Sequence, residues 1–291
     1  MMTAAEAQQY CTSLTKKSGS NFYYSFLFLP RARREAMYTV YAFCKEVDNA
    51  VDEPPPGTDP RQQLDIWREE LSAAYRGTPS LPVTQSLAEH VRRLSIPQTY
   101  FEELIKGVEM DLTTTRYATF DALSLYCYRV ASVVGLICLH IFGTTSPRAQ
   151  DYAVNLGMAF QLTNILRDVG IDAAKGRIYV PQEDLKHFNY TEQDLLRKTY
   201  NLPFTDLMRF EAQRAREHYA KAERALQALP LKERRSLTVA EIMRGVYSRI
   251  LHRVQASEFR VFDERVTLST RHRLAVAAAV WLRSRWLPIS P

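Results

Sequence analysis

The sequence predicts an all-α protein, and three observations support this prediction. Only ten of the 291 residues are glycine, and long stretches rich in Ala, Leu, Arg and Glu are typical of one large helical body. The Pro and Gly residues cluster between helix-like segments rather than inside them. No alternating pattern of apolar and polar residues is sustained enough for a sheet. We therefore expect a single domain over residues 1–291, built as a bundle of about eight to ten helices.

The first half of the chain is divided by proline and glycine. The run Pro54-Pro55-Pro56-Gly57 ends a helix predicted over 30–52, because a residue before proline is pushed out of the α region. Asp52 then lies in the last turn of that helix. Further helices are predicted near 60–76, 84–94 and 98–112.

The central segment has start and stop signals. Thr119 is a candidate N-cap for a long apolar helix that runs to about 142, and Gly143 is its stop. Ser146 caps the next helix and Pro147 occupies its first position, so this helix is expected to continue to about 172. The remaining predicted segments are helices near 204–228 and 231–256 and a weak short strand at 178–180.

Composition and charge exclude several classes of protein. A formal charge of +6 suits anionic partners, but it does not choose among nucleic acid, anionic lipid and diphosphates. The four cysteines show no CxxC or Cys/His zinc spacing, and residues 1–17 lack the apolar run of a signal peptide, so reduced cytosolic thiols are expected. The apolar run at 274–282 is shorter than the roughly 18 to 20 residues that cross a bilayer. We expect no membrane span.

Two predicted helices carry carboxylates at their ends. On a helical wheel Asp48 and Asp52 lie within about 60° of Tyr41 and Lys45. Acids near a helix C-terminus oppose the helix dipole, and carboxylates one turn apart repel each other. Another group must therefore compensate. A second helix end repeats the arrangement, with one face formed by Gln161, Asn164, Asp168 and Asp172.

Oxygen-only ligands on two helix ends favour magnesium, which is typically held by one or two carboxylates, waters and substrate phosphates. Softer metals would prefer His or Cys, and the six histidines are too scattered to form a metal site by their spacing. The alternative is that the acids are solvated surface residues paired with Lys45 and Arg167. Recurrence of the pattern favours the metal site.

At these residues the sequence resembles the squalene and phytoene synthase family of head-to-head prenyl transferases, over nearly the whole chain. The motifs are Ser18-Gly-Ser20-Asn21-Phe22, the stretch 41–52, Tyr126-Cys-Tyr-Arg-Val130-Ala-Ser-Val-Val-Gly135, and the stretch 161–172 followed by Gly176-Arg-Ile-Tyr179. Within the family, the first two motifs and Val108-Glu-Met-Asp111 look most like bacterial presqualene diphosphate synthases of hopanoid biosynthesis. The resemblance implies an all-α isoprenoid synthase bundle with a deep central cavity, whose mouth carries the two acidic motifs facing each other.

The resemblance also implies roles for individual residues. Metal would be held by Asp48, Asp52, Asn164, Asp168 and Asp172. Substrate diphosphate would be contacted by Ser18, Gly19, Ser20, Asn21, Lys45, Arg167 and Arg265, with support from Gln161. The pocket would be lined by Tyr41, Tyr126, Tyr179 and Tyr247.

Four positions depart from the family pattern. Lys45 stands where the family commonly has Arg, which keeps the charge but loses a planar two-pronged contact. Asn49 replaces the second acid of the first motif, Ile171 replaces a Glu, and Ser132 replaces a Gly. The four aspartates keep the required spacing, so we expect an active enzyme.

The implied reaction joins two farnesyl diphosphates. Magnesium on one diphosphate would offset the charge of the leaving group, and the double bond of the second molecule would attack the allylic cation to give presqualene diphosphate. The proton acceptor is either the released diphosphate or Tyr126. The cation needs an apolar, aromatic wall, although plain core packing is the alternative for each candidate. The candidates are Phe22, Phe26, Tyr41, Val130, Val134 and Leu162.

Other functions stay open at this stage. NADPH is not expected for the presqualene step, whereas a full squalene synthase would need it, and a phytoene synthase would use geranylgeranyl diphosphate. A terpene cyclase shares the fold and the acidic motifs, but it would not be expected to carry the segment Tyr126-Cys-Tyr-Arg-Val130-Ala. A non-catalytic basic protein that binds membrane or nucleic acid is supported by the Arg-rich segments 209–224, 232–235 and 244–253. We expect a cytoplasmic enzyme with no nucleic-acid partner, at most a peripheral membrane contact, and downstream squalene-forming enzymes as candidate partners.

Overall fold

The computed structural model describes residues 2–19 and 21–286, and within them the chain is α-helical with no strand, as predicted. The helices are α1 (Ala4–Lys17), α2 (Asn21–Phe26), α3 (Arg31–Asp52), α4 (Pro60–Arg76), α5 (Pro82–Leu94), α6 (Gln98–Met110), α7 (Phe120–Cys127), α8 (Val133–Phe142), α9 (Pro147–Ala174), α10 (Gln182–His187), α11 (Glu192–Leu196), α12 (Leu202–Gln227), α13 (Leu231–Ser236), α14 (Thr238–Ala256) and α15 (Thr270–Trp286).

The predicted helix caps are formed. The Thr119 hydroxyl accepts a hydrogen bond from the Ala122 amide at 3.3 Å at the start of α7. The Ser146 hydroxyl likewise caps α9, with Pro147 in its first turn. Helix α3 ends at Asp52, just before the prolines. These local signals were readable because each depends on residues within one helical turn.

Several predicted elements differ from the structure. The single helix predicted over 119–142 contains a π-helical turn, Tyr128–Ser132, between α7 and α8. The segment 231–256 divides at Leu237 into α13 and α14. Instead of a strand at 178–180, one parallel bridge joins Arg116 to Ile178, because no neighbouring strand is present in the described residues. Helices α1, α2, α10, α11 and α15 were not predicted. Together with the two divided segments, they account for the fifteen α-helices of the described residues where eight to ten were expected.

Helix α9 runs through the interior of the bundle and packs against α8, α12 and α14. Helix α3 packs against α1, α4, α5 and α6 on the other side. Sixteen of the 28 residues of α9 are buried, on all of its faces, as expected for a helix surrounded by others. Helices α3, α8, α9 and α14 leave a central cavity between them.

Two glycines let the backbones around this cavity approach closely. A Cβ added to Gly157 of α9 would lie 2.6 Å from the Ser132 Cα in the π-helical turn, and one added to Gly135 would lie 2.9 Å from the Ala153 carbonyl oxygen. Both glycines also line the cavity. Close helix packing therefore explains glycine at these two helical positions, where it otherwise costs about 1 kcal/mol relative to Ala.

The continuous helical segment Phe120–Phe142 is long and apolar enough to cross a membrane by length and composition. In the structure it packs against α6 and α9, and its α8 portion borders the cavity. Its apolar composition therefore matches a central position in the bundle, since a buried helix is hydrophobic on all sides.

Candidate active site

The central cavity is apolar along most of its length. Together with its open mouth it encloses about 1070 Å³. Met37, Phe142 and Leu237 lie at one end of it, where α3 and α14 begin, and Gln161 and Asn164 lie towards the end where α3 and α9 finish. The cavity therefore has an apolar floor and a polar mouth.

Most of the predicted wall residues do border this cavity. Phe22, Phe26, Val130 and Val134 line it together with Tyr41. Leu162 was predicted to join them, and this is wrong: it is 2% exposed but is not among the lining residues. Next to Leu162 on α9, the residues that border the cavity are instead Phe160, Gln161 and Asn164.

A second chamber adjoins the mouth. It is bordered by Lys45, Asp48, Asp111 and Tyr126, and it shares Tyr41, Cys44, Val130 and Gln161 with the central cavity. The two chambers are therefore contiguous, and charged groups border the second one.

The acidic end of α3 is paired with cations at both of its aspartates. Lys45 Nζ donates a hydrogen bond to Asp48 Oδ2 at 3.4 Å. Asp52, the last residue of α3, accepts a hydrogen bond at Oδ1 from Arg177 Nη1 at 2.7 Å, and Lys175 Nζ lies 3.9 Å from its Oδ2. Burial raises the pKa of the Asp48 carboxyl, and the Lys45 ammonium opposes that rise. These cations supply the compensation that two acids at a helix C-terminus require.

The acidic end of α9 has one aspartate held by two arginines. Asp168 forms two hydrogen bonds with the guanidinium of its neighbour Arg167 and two more, both of 2.9 Å, with Arg265. Burial alone would raise the pKa of the Asp168 carboxyl, but the hydrogen bonds from Arg167 and Arg265 outweigh it, so this pKa is lowered. Asp168 is therefore an anion within a cationic clamp.

Asp172, one turn further along α9, is in a different environment. Burial, and then the charge of Asp168, raise the pKa of its carboxyl to about 7. Among the described residues no ion pair reaches its side chain within 4.0 Å, although Lys175 and Arg177 lower its pKa in part. Asp172 is the site carboxylate with the most to gain from a cation.

Asp111, immediately after α6, is a fifth carboxylate in this region. It accepts hydrogen bonds from the hydroxyls of Tyr126 at 3.0 Å and Tyr179 at 2.8 Å. The rings of the two tyrosines stack at a centroid distance of 5.1 Å, and Tyr117 packs against both. Burial raises the pKa of the Asp111 carboxyl, and it raises the pKa of the Tyr126 phenol well above its usual value. The two phenols are therefore hydrogen-bond donors at neutral pH.

The predicted tyrosines divide into two groups. Tyr41 and Tyr126 border the chambers. Tyr179 lies behind Tyr126 as the second donor to Asp111, and Tyr247 stacks on Phe160 at 4.5 Å behind the cavity wall. Tyr179 and Tyr247 are therefore not among the residues that line either chamber, although they were predicted to be; they contact the lining residues Tyr126 and Phe160 instead.

The N-terminal motif lies between α1 and α2. The Ser18 hydroxyl donates to the Thr15 carbonyl oxygen at 2.7 Å, and Gly19 has a φ of +60° with open space around its Cα. Ser20 lies outside the described residues, and Asn21 is the first residue of α2. A glycine at positive φ ends α1 here, and the phosphate-contacting role of this segment stays a prediction.

Oxygen donors at the mouth fit a hard cation such as Mg²⁺. The Asn164 Oδ1 atom is buried and has no hydrogen-bond partner among the described residues, while its Nδ2 donates to Gln161 Oε1 at 3.4 Å. Within the same residues, no three acidic, histidine or cysteine side chains converge closely enough to hold a metal by themselves. Oxygens of a substrate would have to complete the coordination.

Sequence reasoning missed roles for Arg177 and Asp111. Each belongs to a motif that the sequence displays, Gly176-Arg-Ile-Tyr179 and Val108-Glu-Met-Asp111. The available signal for Asp111 was an acid at the C-terminal end of a helix, where Asp52 also lies. No sequence signal pairs Arg177 with a residue 125 positions earlier.

Three comparisons with known proteins agree on one kind of protein. The family model described as Squalene/phytoene synthase matches residues 15–272. A phytoene synthase from Arthrospira platensis is 37% identical, over 98% of this chain and 96% of its own length. Among solved structures, squalene synthase HpnC from Alicyclobacillus acidocaldarius is 29% identical with a TM-score of 0.79, over 88% of this chain and 95% of its own. A dehydrosqualene synthase solved with a ligand is 28% identical with a TM-score of 0.84, over 97% and 98% of the two chains.

Proposed function

The chain belongs to the squalene/phytoene synthase family and is a prenyl transferase of isoprenoid biosynthesis, and we propose that it condenses two farnesyl diphosphates to presqualene diphosphate. The reaction is Mg²⁺-dependent and releases one diphosphate. One observation carries this proposal: a largely apolar cavity opens towards Gln161 and Asn164 on α9 and adjoins a chamber bordered by Lys45 and Asp48 on α3, while Arg177, just after α9, binds Asp52 at the end of α3. The proposal treats residues 1–291 as one domain, because the buried apolar residues form one contiguous core.

Cationic side chains at the mouth bind the substrate diphosphates in this proposal. Arg167 and Arg265 already present guanidinium groups to one anion, Asp168, and guanidinium is suited to two-pronged binding of phosphate oxygens. Arg265 is 55% exposed, so it can exchange the carboxylate for a diphosphate. Lys45 offers a more flexible single charge at the entrance of the second chamber.

The same region would hold the metal. Its oxygen donors would be Asp48, Asp52, Asn164, Asp168 and Asp172, and substrate oxygens would complete the set. Magnesium, when bound, offsets the negative charge that develops on the leaving diphosphate. Asp172 and the unpartnered Asn164 Oδ1 are the donors with least compensation from the protein itself.

The apolar wall protects the allylic cation of the substrate from water. Phe22 and Tyr41 border the cavity with their rings 6.3 Å apart, and Phe160 adds a third ring next to Gln161. Aromatic faces stabilise a nearby cation through their quadrupole, by about 1 kcal/mol or more when water is excluded. The floor formed by Met37, Phe142 and Leu237 keeps water from entering at the far end.

Released diphosphate accepts the proton that is lost from the intermediate as the cyclopropane ring closes. The alternative acceptor, Tyr126, would have to act as a phenolate, but burial and the nearby Asp111 charge raise its pKa and keep the phenol protonated. Its hydroxyl donates to Asp111, which leaves the ring fixed at the edge of the second chamber. Tyr126 therefore positions substrate and excludes water.

Substrate length separates this proposal from a second candidate, a phytoene synthase acting on geranylgeranyl diphosphate. The N-terminal motifs and the similarity to squalene and dehydrosqualene synthase structures favour farnesyl diphosphate. The phytoene synthase from Arthrospira platensis, with its 37% identity, favours the second candidate. NADPH is not required for the presqualene step. We further propose a cytoplasmic enzyme without a nucleic-acid partner, in peripheral contact with a membrane, that hands its product to downstream squalene-forming enzymes.

A product assay tests the proposal. Purified protein is incubated with Mg²⁺ and either farnesyl or geranylgeranyl diphosphate, with and without NADPH, and products are identified by mass spectrometry. Presqualene diphosphate that accumulates even with NADPH is the expected result. Squalene or phytoene would overturn the substrate and product assignment but not the family, whereas no condensation of either substrate would overturn the proposed activity.

A further inference from the structure

A second groove lies at the base of the bundle, away from the acidic mouth. It is bordered by Phe28, Pro30, Arg33, Arg235 and Trp281, and we call it the basal groove. With its opening it encloses about 930 Å³. The proposed reaction does not use it.

The basal groove is at the opposite end of α3 from the mouth. Arg33 and Asp48 are fifteen residues apart on this helix, which corresponds to about 22 Å at 1.5 Å per residue. Leu237 separates the groove from the floor of the central cavity: it is fully buried and lines the cavity, while its neighbours Ser236 and Thr238 line the groove.

Large apolar side chains are exposed close in sequence to the residues that border the groove. Leu27, next to Phe28, is 42% exposed, and Leu282, next to Trp281, is 49% exposed. Leu231 is 46% exposed one turn before Arg235 on α13. Three exposed leucines beside half-buried aromatic rings form an apolar rim, which we call the basal rim.

The charge around the basal rim is positive. Arg235 borders the groove, and the exposed cations Lys232 and Arg283 lie within three residues of Arg235 and Trp281, respectively. The sequence has no acidic residue in 27–34 or in 270–286. On α13 the carboxylate of Glu233 is engaged by the hydroxyls of Thr144 and Ser146. Anionic surfaces are therefore attracted to this end of the molecule.

We propose that the basal rim docks on the surface of an anionic lipid bilayer. Exposed leucines enter the boundary between headgroups and acyl chains, and Trp281 and Phe28 lie at headgroup level, where aromatic side chains are enriched. The cations contact anionic headgroups, each contributing about fivefold to the partition coefficient. Docking in this orientation turns the acidic mouth towards water, into which free diphosphate can leave.

Vesicle flotation with the full chain tests this proposal without depending on catalysis. The expected result is that wild-type protein floats with vesicles of phosphatidylcholine and 30% phosphatidylglycerol, binds phosphatidylcholine alone at least tenfold less, and loses most binding in 0.5 M salt. We expect the double variants L27D/L282D and K232E/R235E each to reduce binding at least about tenfold. None of these four residues lies in the site, so turnover of farnesyl diphosphate in vesicle-free buffer should be unchanged.

Matched controls lie on α4 and α5. Ile66 is 44% exposed, and Ile66→Asp should float like the wild type, as should the charge reversal of two exposed cations, R61E/R92E. The proposal is overturned if wild-type protein does not float or if the control variants lose as much binding as the basal variants. It is also overturned if light scattering without vesicles shows that the wild type is a dimer and that the basal variants are monomers. An inactive protein that floats normally would contradict the proposed function alone.

Discussion

Arg177, in the turn after α9, donates a 2.7 Å hydrogen bond to Asp52, the last residue of α3. The two residues are 125 positions apart, and this contact joins the two acidic helix ends. Arg177 is 18% exposed and Asp52 is 27% exposed, so the pair is shielded from much of the solvent. Among the contacts of the described residues, this hydrogen bond links the acidic end of α3 most directly to the acidic end of α9.

Replacing Arg177 by Gln should therefore weaken both the fold and the site. We expect the free energy of unfolding to fall by about 1 to 2 kcal/mol, because Asp52 keeps its charge in a partly buried place without its partner. Urea denaturation measures this. Lys175→Gln is the matched control, since its ammonium is 3.9 Å from Asp52 and 58% exposed. An equal decrease in the free energy of unfolding in both variants would show that the Arg177–Asp52 hydrogen bond has no special role.

Asp48→Asn should reduce turnover at least about a thousandfold while leaving the fold intact. Asp48 is 50% exposed and is paired at 3.4 Å only with Lys45 within the described chain, and the folded protein raises its pKa, so removing its charge should not destabilise the fold. Loss of one metal-binding carboxylate should be severe for the reaction. Steady-state kinetics measures turnover, and circular dichroism checks that the variant is folded. The control is Asp151→Asn, at an exposed position. A wild-type rate in Asp48→Asn would remove this residue from the metal site.

Asp172→Asn should lower turnover and should raise the free energy of unfolding at pH 8 but not at pH 4. The folded protein raises the pKa of this carboxyl to about 7, above its usual value near 3.9 in an unfolded chain. The folded state thus holds the proton more tightly, so ionisation of Asp172 destabilises the fold increasingly between about pH 4 and pH 7. We expect the variant to gain on the order of 2 kcal/mol at pH 8 and nothing at pH 4, and to lose turnover.

Denaturation curves at the two pH values measure this gain. The control is Asp206→Asn on α12, where the carboxylate is 42% exposed and pairs with Arg209. It should change the free energy of unfolding by less than about 0.5 kcal/mol at either pH. If Asp172→Asn shows no gain at pH 8, the carboxyl is not destabilising in the folded state.

Tyr126→Phe should keep at least about a tenth of wild-type turnover. The phenol is protonated because its pKa is raised, so removing its hydroxyl deletes a donor to Asp111 and not a base. Tyr190→Phe is the control for stability. The Tyr190 hydroxyl donates to the Thr199 carbonyl oxygen, and losing this hydrogen bond should lower the free energy of unfolding by about 1 kcal/mol. A thousandfold loss of kcat in a folded Tyr126→Phe would make Tyr126 the proton acceptor.

Gly157→Ala should destabilise the protein by about 2 to 3 kcal/mol, because its Cβ would lie 2.6 Å from the Ser132 Cα. The displaced π-helical turn would also narrow the cavity and raise KM. Gly77→Ala is the comparison: its Cβ meets nothing within 4 Å, and its φ of +85° costs about 1 kcal/mol. Equal losses in the two variants would show that steric overlap is not the cause.

Much of the fold could be predicted from short-range patterns. Helices α3, α4 and α9 have their predicted ends within about two residues, because caps and prolines act within one turn. The π-helical turn and the break at Leu237 could not be predicted in this way. They lie where close approach to another helix, as between Gly157 and Ser132, decides the local geometry.

The sequence by itself determined the all-α class, the family, and which carboxylates lie on one face at the ends of α3 and α9, because helical periodicity assigns faces from spacing alone. Only the tertiary structure decided which cation reaches which acid. The pairings of Arg177 with Asp52, of Arg265 with Asp168 and of the two tyrosines with Asp111 span 15 to 125 positions of the chain. Such contacts depend on how the helices pack. The energy of a charge interaction depends on the distance between the charges in space, and the number of residues between them in the sequence does not give that distance.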